Sequence, residues 1–287
     1  MSNLASLALW LTRDVVLSVP SFTNLPSCSL PEPPYRFERV MISFNNGKLI
    51  QCGGTTSYYR GVTSCFHLTN VDEGWISTFS LLEGRSSATL ISLPNGTLWV
   101  AGGITRQAGV TRVLSSTEVL TETGWLPSVQ LPWPMGRHCA VSLGLAGVFL
   151  AGGRSHLGDH GLKRAVLFSP HSETDAFTPL QDMPIGMKHP SCDTLNDKVY
   201  VGGDFSSEIA VFNLKTKAWE PSPGFQHKRQ RLLAMFSIQN NLYFIGQKDD
   251  QQVYRLDGDS WSSVRTSSVT DVGINPLVIF QGFLKCD

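Results

Sequence analysis

Short apolar runs that end in glycine recur along the 287-residue chain. Five runs align at this glycine: LIQCGG, LWVAGG, VFLAGG, VYVGG and LYFIGQ, whose first glycines are Gly53, Gly102, Gly152, Gly202 and Gly246. These glycines are 49, 50, 50 and 44 residues apart. Four of the runs follow a turn signal, namely Asn46-Gly47, Asn95-Gly96, Asn196-Asp197 and Asn240-Asn241. An apolar run after such a turn predicts a β-hairpin whose second strand ends at the glycine.

Two further features recur with the glycines. A basic residue lies 14 to 17 positions before each site, at Arg36, Arg85, Arg137, Lys188 and Arg231. An aromatic residue follows each site, at Trp75, Trp125, Phe177, Trp219 and Trp261. A unit of about 45–50 residues with four short strands is the size of one blade of a β-propeller. We therefore assign the glycine pairs and the tryptophans to the framework, the glycines for backbone freedom and the tryptophans as wedges between blades.

The order of basic residue, hairpin, glycine pair, third strand and tryptophan resembles the kelch repeat over about residues 36–265. Phe177, Lys188 and Gln247 depart from that pattern. The resemblance implies an all-β fold, a kelch-type β-propeller over residues 36–287, and we predict six four-stranded blades, with five or seven as alternatives.

The sixth blade is predicted to be closed by strands from both termini. The segment INPLVIFQGFLKCD resembles a first hairpin, and residues 1–35 would add outer strands near Val15–Val19 and Ser27–Leu30. Such closure removes an exposed sheet edge. The apolar run Leu4–Leu11 has no basic residue ahead of it and no clear cleavage site, so we interpret it as a poor signal-peptide candidate.

The kelch resemblance also gives a reading of the six cysteines. Cys52 and Cys65 would lie on neighbouring strands of one blade, which implies a disulfide, and Cys28 and Cys286 would fall in the closing blade and could link its two ends. For Cys139 and Cys192 the pairing stays open. A CGG followed by a second cysteine resembles secreted invertebrate kelch-type proteins, and Asn95-Gly96-Thr97 is a glycosylation sequon. We expect an extracellular protein, with the cytoplasm as the alternative.

Composition narrows the classes of partner. Lysine and arginine number 23 and so do aspartate and glutamate, so the chain has no overall field that would attract nucleic acid or an anionic membrane. No apolar run approaches the roughly 18–20 residues that span a bilayer. We expect a monomer that binds neither nucleic acid nor a membrane core.

Few residues indicate chemistry. His156, Asp159 and His160 form the best metal candidate, but flexible loop spacing is unspecific and a solvated loop is the preferred interpretation. His138 and His189 follow the repeated basic residue and are assigned to the framework. There is no G-x-S-x-G, phosphate-binding or sialidase motif. The sequence predicts no cofactor and no enzyme; the alternative is a propeller-type small-molecule enzyme, such as a sugar mutarotase or an oxidase, with a site in the central channel.

The favoured function is a non-catalytic binding or scaffold module. In a propeller, the loops after the second strand and the links between blades lie around one rim, where arginine and aromatic residues act as binding hot spots. The predicted rim residues are Tyr58, Tyr59, Arg60, Arg106, Arg154, His156, Lys163, Arg164, His227, Lys228, Arg229 and Arg231. Because this set is positively charged, the predicted partner is a protein, through an acidic peptide, or an anionic glycan.

Overall fold

The computed structural model describes residues 6–10, 16–17, 31, 40–56, 60–70, 72–156, 158, 160–170, 176–203, 208–221, 231–238, 240–247, 251–264 and 277–281. Apart from a 3₁₀ turn at Gly144–Ala146, the regular structure in these ranges consists of β-strands. They contain no helix that is long and apolar enough to cross a bilayer. The chain divides into two compact units, residues 1–136 with 273–287 and residues 137–272, and each unit has its own sheets.

The first unit begins with β1 (Ser6–Trp10) and β2 (Val16–Leu17) and contains two four-stranded antiparallel blades. Blade 1 consists of β3 (Met41–Asn45), β4 (Lys48–Cys52), β5 (Cys65–Leu68) and β6 (Ile76–Thr78). The strands of blade 2 are β7 (Thr89–Ser92), β8 (Leu98–Ala101), β11 (Thr117–Thr121) and β12 (Gly124–Ser128). Between β8 and β11 the chain forms a separate hairpin of β9 (Ile104–Gln107) and β10 (Val110–Val113).

The second unit contains three four-stranded blades. Blade 3 consists of β13 (Cys139–Ser142), β14 (Val148–Ala151), β15 (Ala165–Ser169) and β16 (Ala176–Pro179). Blade 4 follows with β17 (Ser191–Leu195), β18 (Lys198–Gly202), β19 (Ile209–Asn213) and β20 (Ala218–Glu220). Blade 5 is built from β21 (Arg231–Ile238), β22 (Asn241–Gln247), β23 (Gln251–Asp257) and β24 (Ser260–Val264).

The number of complete blades differs from the prediction. The described residues form five four-stranded blades instead of six, and the strands near the termini form a three-stranded sheet in the order β2-β1-β25, where β25 is Leu277–Gln281. All five residues of β25 pair antiparallel with β1. The sequence predicted that β25 would pair with a second strand near the C-terminus. In the structure, β1 in the N-terminal apolar run pairs with β25 instead. The predicted strand at Ser27–Leu30 lies outside the described residues.

The second strand of each blade is buried on both faces. In β8 and β14 all four residues are buried. This explains why these strands read as continuous apolar runs and not as an alternating pattern. Within the second unit, Phe149 and Phe212 of adjacent blades pack with their ring centroids 5.7 Å apart in one apolar core.

The glycine pairs serve the framework, as the sequence indicated. Gly53 and Gly103 both have positive φ, 62° and 106°. A Cβ on Gly53 would lie 2.5 Å from the carbonyl oxygen of Arg85, and one on Gly103 would lie 2.7 Å from the Cβ of Ala88. A side chain at either position would therefore clash with the segment that leads into β7, the first strand of blade 2.

The second glycine of each pair identifies which linker residues are equivalent. The N–H of Gly54 donates to the carbonyl of Arg85 at 2.9 Å. In the same way, the N–H of Gly103 donates to the carbonyl of Met135 at 2.7 Å, and that of Gly153 to the carbonyl of Met187 at 2.8 Å. Arg85, Met135 and Met187 thus share one position of the repeat. Arg137 lies two residues further on and is equivalent to Ser87 and His189. The prediction that Arg85, Arg137 and Lys188 are one repeated basic residue was therefore wrong.

In blades 1, 2 and 4 the repeated tryptophan ties its blade to the segment that precedes it. Trp125 Nε1 donates to the carbonyl of Phe79 at 3.0 Å, and Trp219 Nε1 donates to that of Gln181 at 2.8 Å. In blade 1, Trp75 Nε1 donates to the carbonyl of Pro31 at 2.8 Å. These contacts agree with a role as wedges between blades, in which the indole buries its ring and satisfies its one donor.

Two disulfides occur among the described residues. Cys52 and Cys65, the pair that the kelch resemblance implied, join adjacent strands β4 and β5 of blade 1 with a Cα–Cα distance of 4.1 Å. Cys139 and Cys192 join the first strands of blades 3 and 4 with a Cα–Cα distance of 5.8 Å. The proposed link between Cys28 and Cys286 lies outside the described residues.

Side chains of β17 bind the backbone of β21, the first strand of the next blade. Ser191 Oγ accepts a hydrogen bond from the N–H of Met235 at 2.8 Å. Asp193 Oδ2 accepts from the N–H of Ser237 at 2.6 Å and from its hydroxyl at 3.1 Å. First strands pair within their blade on one side only, and these polar side chains satisfy donors on the other side.

The Asp193 carboxyl predicts a specific pH dependence of stability. Burial raises its pKa above the usual 3.8, and this outweighs the opposing effect of hydrogen bonds from Thr194 and Ser237. The folded protein therefore binds this proton more tightly than the unfolded chain, so the contribution is full below pH 3.8 and is lost as the pH rises through the folded pKa. We expect Asp193→Asn to remove this gain, so that its Tm relative to that of the unmodified protein falls on acidification.

Thermal unfolding of both proteins across the mildly acidic range measures this effect. Asp182→Asn, at an exposed aspartate of the same unit, is the control. A constant difference in Tm between the unmodified protein and Asp193→Asn across the range would contradict the prediction.

Candidate functional site

Half of the predicted rim residues have a described side chain. Tyr58, Tyr59, His227, Lys228 and Arg229 lie outside the described residues, and Arg231 begins β21. The remaining residues lie in the connections that follow the second strands of blades 1, 2 and 3: Arg60, Arg106, Arg154, His156, Lys163 and Arg164.

In the first unit, Arg60 and Arg106 each take part in a local hydrogen bond. The carbonyl of Arg60 accepts a hydrogen bond from the N–H of Thr56 at 3.2 Å, and the Arg60 side chain is exposed. Arg106 lies in the β9–β10 hairpin, where its Nε donates to the carbonyl of Gly109 at 3.2 Å. This hairpin was missed in the sequence, although its turn at Ala108-Gly109 between two four-residue runs is the type of signal that predicts one.

In the second unit, four rim residues lie in the connection between β14 and β15. Lys163 and Arg164 are exposed, and Lys163 Nζ donates to the carbonyl of Pro184 at 3.0 Å. His156 is exposed, with Nδ1 lying 3.3 Å from the hydroxyl of Ser155. Arg154 is half-buried and points toward the linker that leads into blade 4.

Arg154 meets two residues that the sequence had placed in the framework. The guanidinium of Arg137 contacts His189 Nε2, and Arg154 Nη2 lies 3.5 Å from the same nitrogen. All three side chains are half-buried. We call Arg137, Arg154 and His189 the basic cluster. The cluster carries the two positive charges of its arginines.

The framework does not require arginine at these positions. Arg137 is equivalent to Ser87, and Arg154, the first residue after its glycine pair, is equivalent to Thr55 and Ile104 in blades 1 and 2. The same backbone geometry is therefore built in neighbouring blades with small or apolar side chains. The two arginines of blade 3 are an addition to the fold and not a condition for it.

Arg85 shows what a framework arginine looks like in the same repeat. Its side chain is fully buried, and Nη2 contacts Glu118 Oε1 at 2.6 Å. Nη1 donates to the carbonyls of Gly102 and Ser116 at 2.8 and 2.9 Å. Its charge is thus neutralised inside blade 2. The position of Glu118 is occupied in blade 3 by Val166, as the pairing with the second strand shows, so blade 3 has no carboxylate at this point.

The predicted metal candidate is only partly described. Asp159 lies outside the described residues, while His156 and His160 are both exposed. In the part of the chain that the structure describes, no three histidine, cysteine, aspartate or glutamate side chains are grouped to hold a metal ion. His138, the other framework histidine, is buried.

Comparisons with known proteins address the repeats and the fold. No family model matches the chain. Kelch repeat and BTB domain-containing protein 1 of horsepox virus is 26% identical over 126 residues, which are 44% of this chain and 22% of that protein. The chain thus spans 22% of the length of this curated relative. The solved structure of YjhT is similar with a TM-score of 0.56 and 14% identity, covering 82% of this chain and 99% of that chain.

Proposed function

Because this chain has the fold of a kelch-type β-propeller, we propose that it is a non-catalytic docking module that binds an acidic segment of a protein partner at the loop end of blades 3 and 4. The observation that carries this proposal is the basic cluster, in which two guanidinium groups and an imidazole meet. Propellers of this type commonly act as scaffolds for protein binding. To this general role we add a position for the contact, at the basic cluster, and its positive charge.

The position of the cluster supports docking. Arg137 and His189 directly precede the first strands of their blades, and Arg154 follows the second strand of blade 3, so all three lie at one end of the unit. Exposed Lys163 and Arg164 belong to the same connection as Arg154. The chain as a whole is neutral, so this positive surface would attract a local acidic segment without attracting polyanions generally.

The chemistry of the cluster supports binding over catalysis. A guanidinium keeps its proton at every physiological pH and therefore cannot exchange protons as a general acid or base. His189 Nε2 lies within hydrogen-bond distance of both arginines. We accordingly propose no enzymatic role and no cofactor for this site, and a monomer as the binding unit.

The two disulfides support a location outside the cytoplasm. Disulfides persist in oxidising environments and are rare in the cytosol, and Cys52–Cys65 and Cys139–Cys192 both lie in folded blades. We therefore propose that the protein works outside the cytoplasm and meets its partner there.

A phage-displayed library of random peptides, selected on the immobilised full chain, tests the docking function. We expect the enriched peptides to be rich in aspartate and glutamate. Their binding is expected to weaken at least about tenfold in Arg154→Ala, because one charge-assisted contact contributes roughly 1.5–3 kcal/mol. Fluorescence polarisation of one labelled, enriched peptide measures the change in Kd.

Lys215→Gln provides the matched control for charge. Lys215 follows β19 and pairs with Asp197 in the turn before β18, so it lies at the opposite end of blade 4 from His189. This variant removes one positive charge from the same unit and is expected to bind as tightly as the unmodified chain. Enrichment of peptides without acidic residues, or equal losses in the two variants, would refute docking at the cluster.

A further inference from the structure

We infer that Asn95 carries an N-linked oligosaccharide when the chain passes through a secretory pathway. This inference rests on the proposed location outside the cytoplasm and is independent of docking at the basic cluster. Asn95-Gly96-Thr97 is the only Asn-x-Ser/Thr triplet in the sequence, and its middle residue is not proline, as the modification requires. The structure adds that this triplet lies where the fold accommodates a bulky group.

The triplet belongs to the turn between β7 and β8 of blade 2. The N–H of Gly96 donates to the carbonyl of Leu93 at 2.8 Å, which closes a β-turn with Pro94 and Asn95 at its centre. The N–H of Leu93 donates to the carbonyl of Thr97 at 2.7 Å. Asn95 itself is exposed. An exposed turn accepts a large substituent because no packed side chain has to move.

The side chain of Asn95 leaves the reacting atom free. Its Oδ1 accepts a hydrogen bond from the N–H of Thr97 at 3.0 Å. Its Nδ2, the atom that would bear the sugar, has no hydrogen-bond partner among the residues that the structure describes, and neither has the Thr97 hydroxyl. A sugar on Nδ2 therefore replaces no contact of the described fold.

The modification is a group transfer whose donor is an oligosaccharide linked to a lipid pyrophosphate. Asn95 Nδ2 forms a bond to the anomeric carbon of the first sugar while the bond from that carbon to the pyrophosphate oxygen breaks. The lipid pyrophosphate leaves, and the proton that Nδ2 loses passes to a base of the transferase. The amide keeps its other Nδ2 proton and its Oδ1 acceptor, so the hydrogen bond from Thr97 is retained.

The turn between β3 and β4 of blade 1 provides a comparison within the same unit. It contains Asn46-Gly47, and both residues are exposed, but Lys48 occupies the position where the triplet needs a hydroxyl. The two turns adjoin, since Asn45 Nδ2 donates to the carbonyl of Gly96 at 2.9 Å. The two exposed asparagines therefore differ in the third residue of their triplets.

The position of the turn determines which surface the glycan covers. The β7–β8 turn lies at the start of β8, whereas the glycine pair and the β9–β10 hairpin follow the end of that strand. A glycan at Asn95 thus shields one end of blade 2 and leaves uncovered the loop end that carries Arg106. We expect the glycosylated end of this blade to be closed to protein partners.

Mass spectrometry of the full chain, expressed in eukaryotic cells behind a cleavable secretory leader, tests the site. Protein from cells and medium is analysed together. Enzymatic release of N-glycans in heavy-oxygen water converts each glycosylated asparagine to a labelled aspartate, so that earlier spontaneous deamidation of Asn95-Gly96 is not counted. We expect a single glycan in the intact mass and the label at position 95 alone.

Variants assign the glycan to the triplet. Thr97→Ala is expected to abolish it, whereas Thr97→Ser keeps the hydroxyl and is expected to retain it. Asn95→Gln removes the acceptor and is expected to abolish it as well. Lys48→Thr completes a triplet at Asn46 in the adjoining turn and is expected to add a second glycan. Formation of both disulfides in each variant checks that it is folded.

The outcomes separate this inference from the proposed location. If both disulfides form but position 95 carries no label, the inference is overturned and the location stands. Absence of label at position 95 in Lys48→Thr protein that is glycosylated at Asn46 would place the fault in the Asn95 turn and not in the host, and also overturns it. If Asn95 is glycosylated while all four cysteines of the two disulfides are free thiols, the site stands and the location fails.

Discussion

Replacement of Glu118 by alanine is expected to lower the free energy of unfolding by about 3–5 kcal/mol, because the buried Arg85 guanidinium then keeps only Glu83, which is 3.6 Å away and partly exposed, as a counter-ion. Arg85 is fully buried and Glu118 is 2% exposed. Glu118 also accepts the backbone N–H groups of Leu82 and Glu83 at 2.7 and 3.1 Å. One carboxylate therefore satisfies a buried charge and orders the turn that leads into blade 2. Urea denaturation measures the loss.

Blade 3 provides a matched test of this explanation. Met135 and Val166 occupy there the positions that Arg85 and Glu118 occupy in blade 2. The double variant Arg85→Met/Glu118→Val is expected to recover most of the stability that Glu118→Ala loses, because an apolar pair of suitable volume can replace a buried ion pair at little net cost. A double variant as unstable as Glu118→Ala, or a loss below about 1 kcal/mol in the single variant, would contradict the uncompensated-charge explanation.

Removal of the Cys139–Cys192 disulfide by Cys139→Ala/Cys192→Ala is expected to cost about 4 kcal/mol. The bond closes a segment with a sequence separation of 53 residues and restricts the unfolded chain accordingly. The Cys52–Cys65 bond closes a separation of only 13 residues, so its removal is expected to cost less, about 3 kcal/mol. The order of the two effects follows from loop length and not from position in the fold.

Denaturation of the two double-alanine variants, each compared with the unmodified chain, measures this order. Mass spectrometry of protein alkylated without reductant and made in a secretory host shows whether the two bonds form. Larger destabilisation in the variant that lacks Cys52 and Cys65 would contradict the chain-entropy explanation. Free thiols at all four positions in folded protein would overturn both the stability prediction and the proposed oxidising compartment.

Much of the architecture follows from local features that the sequence displays openly. Turn residues such as Asn46-Gly47 and Asn95-Gly96 mark hairpins because only a few residues adopt the backbone angles that tight turns need. The apolar runs mark the second strands because these are buried on both faces. The resemblance to kelch repeats is confirmed, and it placed Cys52 beside Cys65, which are directly opposite each other in adjacent strands.

At the termini and at the β9–β10 hairpin, local sequence features did not predict the strands or their pairing. The apolar run at the start of the chain has no turn signal that names its partner, and its pairing with β25 joins residues from opposite ends of the sequence. The number of strands in that sheet therefore depends on a pairing between β1 and β25, which are far apart in the sequence. The β9–β10 hairpin has a recognisable turn, but the expected pattern of four strands per repeat left no place for it.

By itself, the sequence determined the repeat, its hairpins and the positively charged character of its loops, because periodicity and turn chemistry act between near neighbours. Tertiary structure decided which basic residues are neutralised inside a blade and which meet in the basic cluster. Arg85 and Arg137 look alike in sequence, yet they lie 17 and 15 residues before their glycines. That two-residue offset buries Arg85 against Glu118 and brings Arg137 to His189, 52 residues away. The backbone hydrogen bond from the second glycine of each pair fixes which linker residue is equivalent to Arg85, and the identity of the side chains does not reveal this bond.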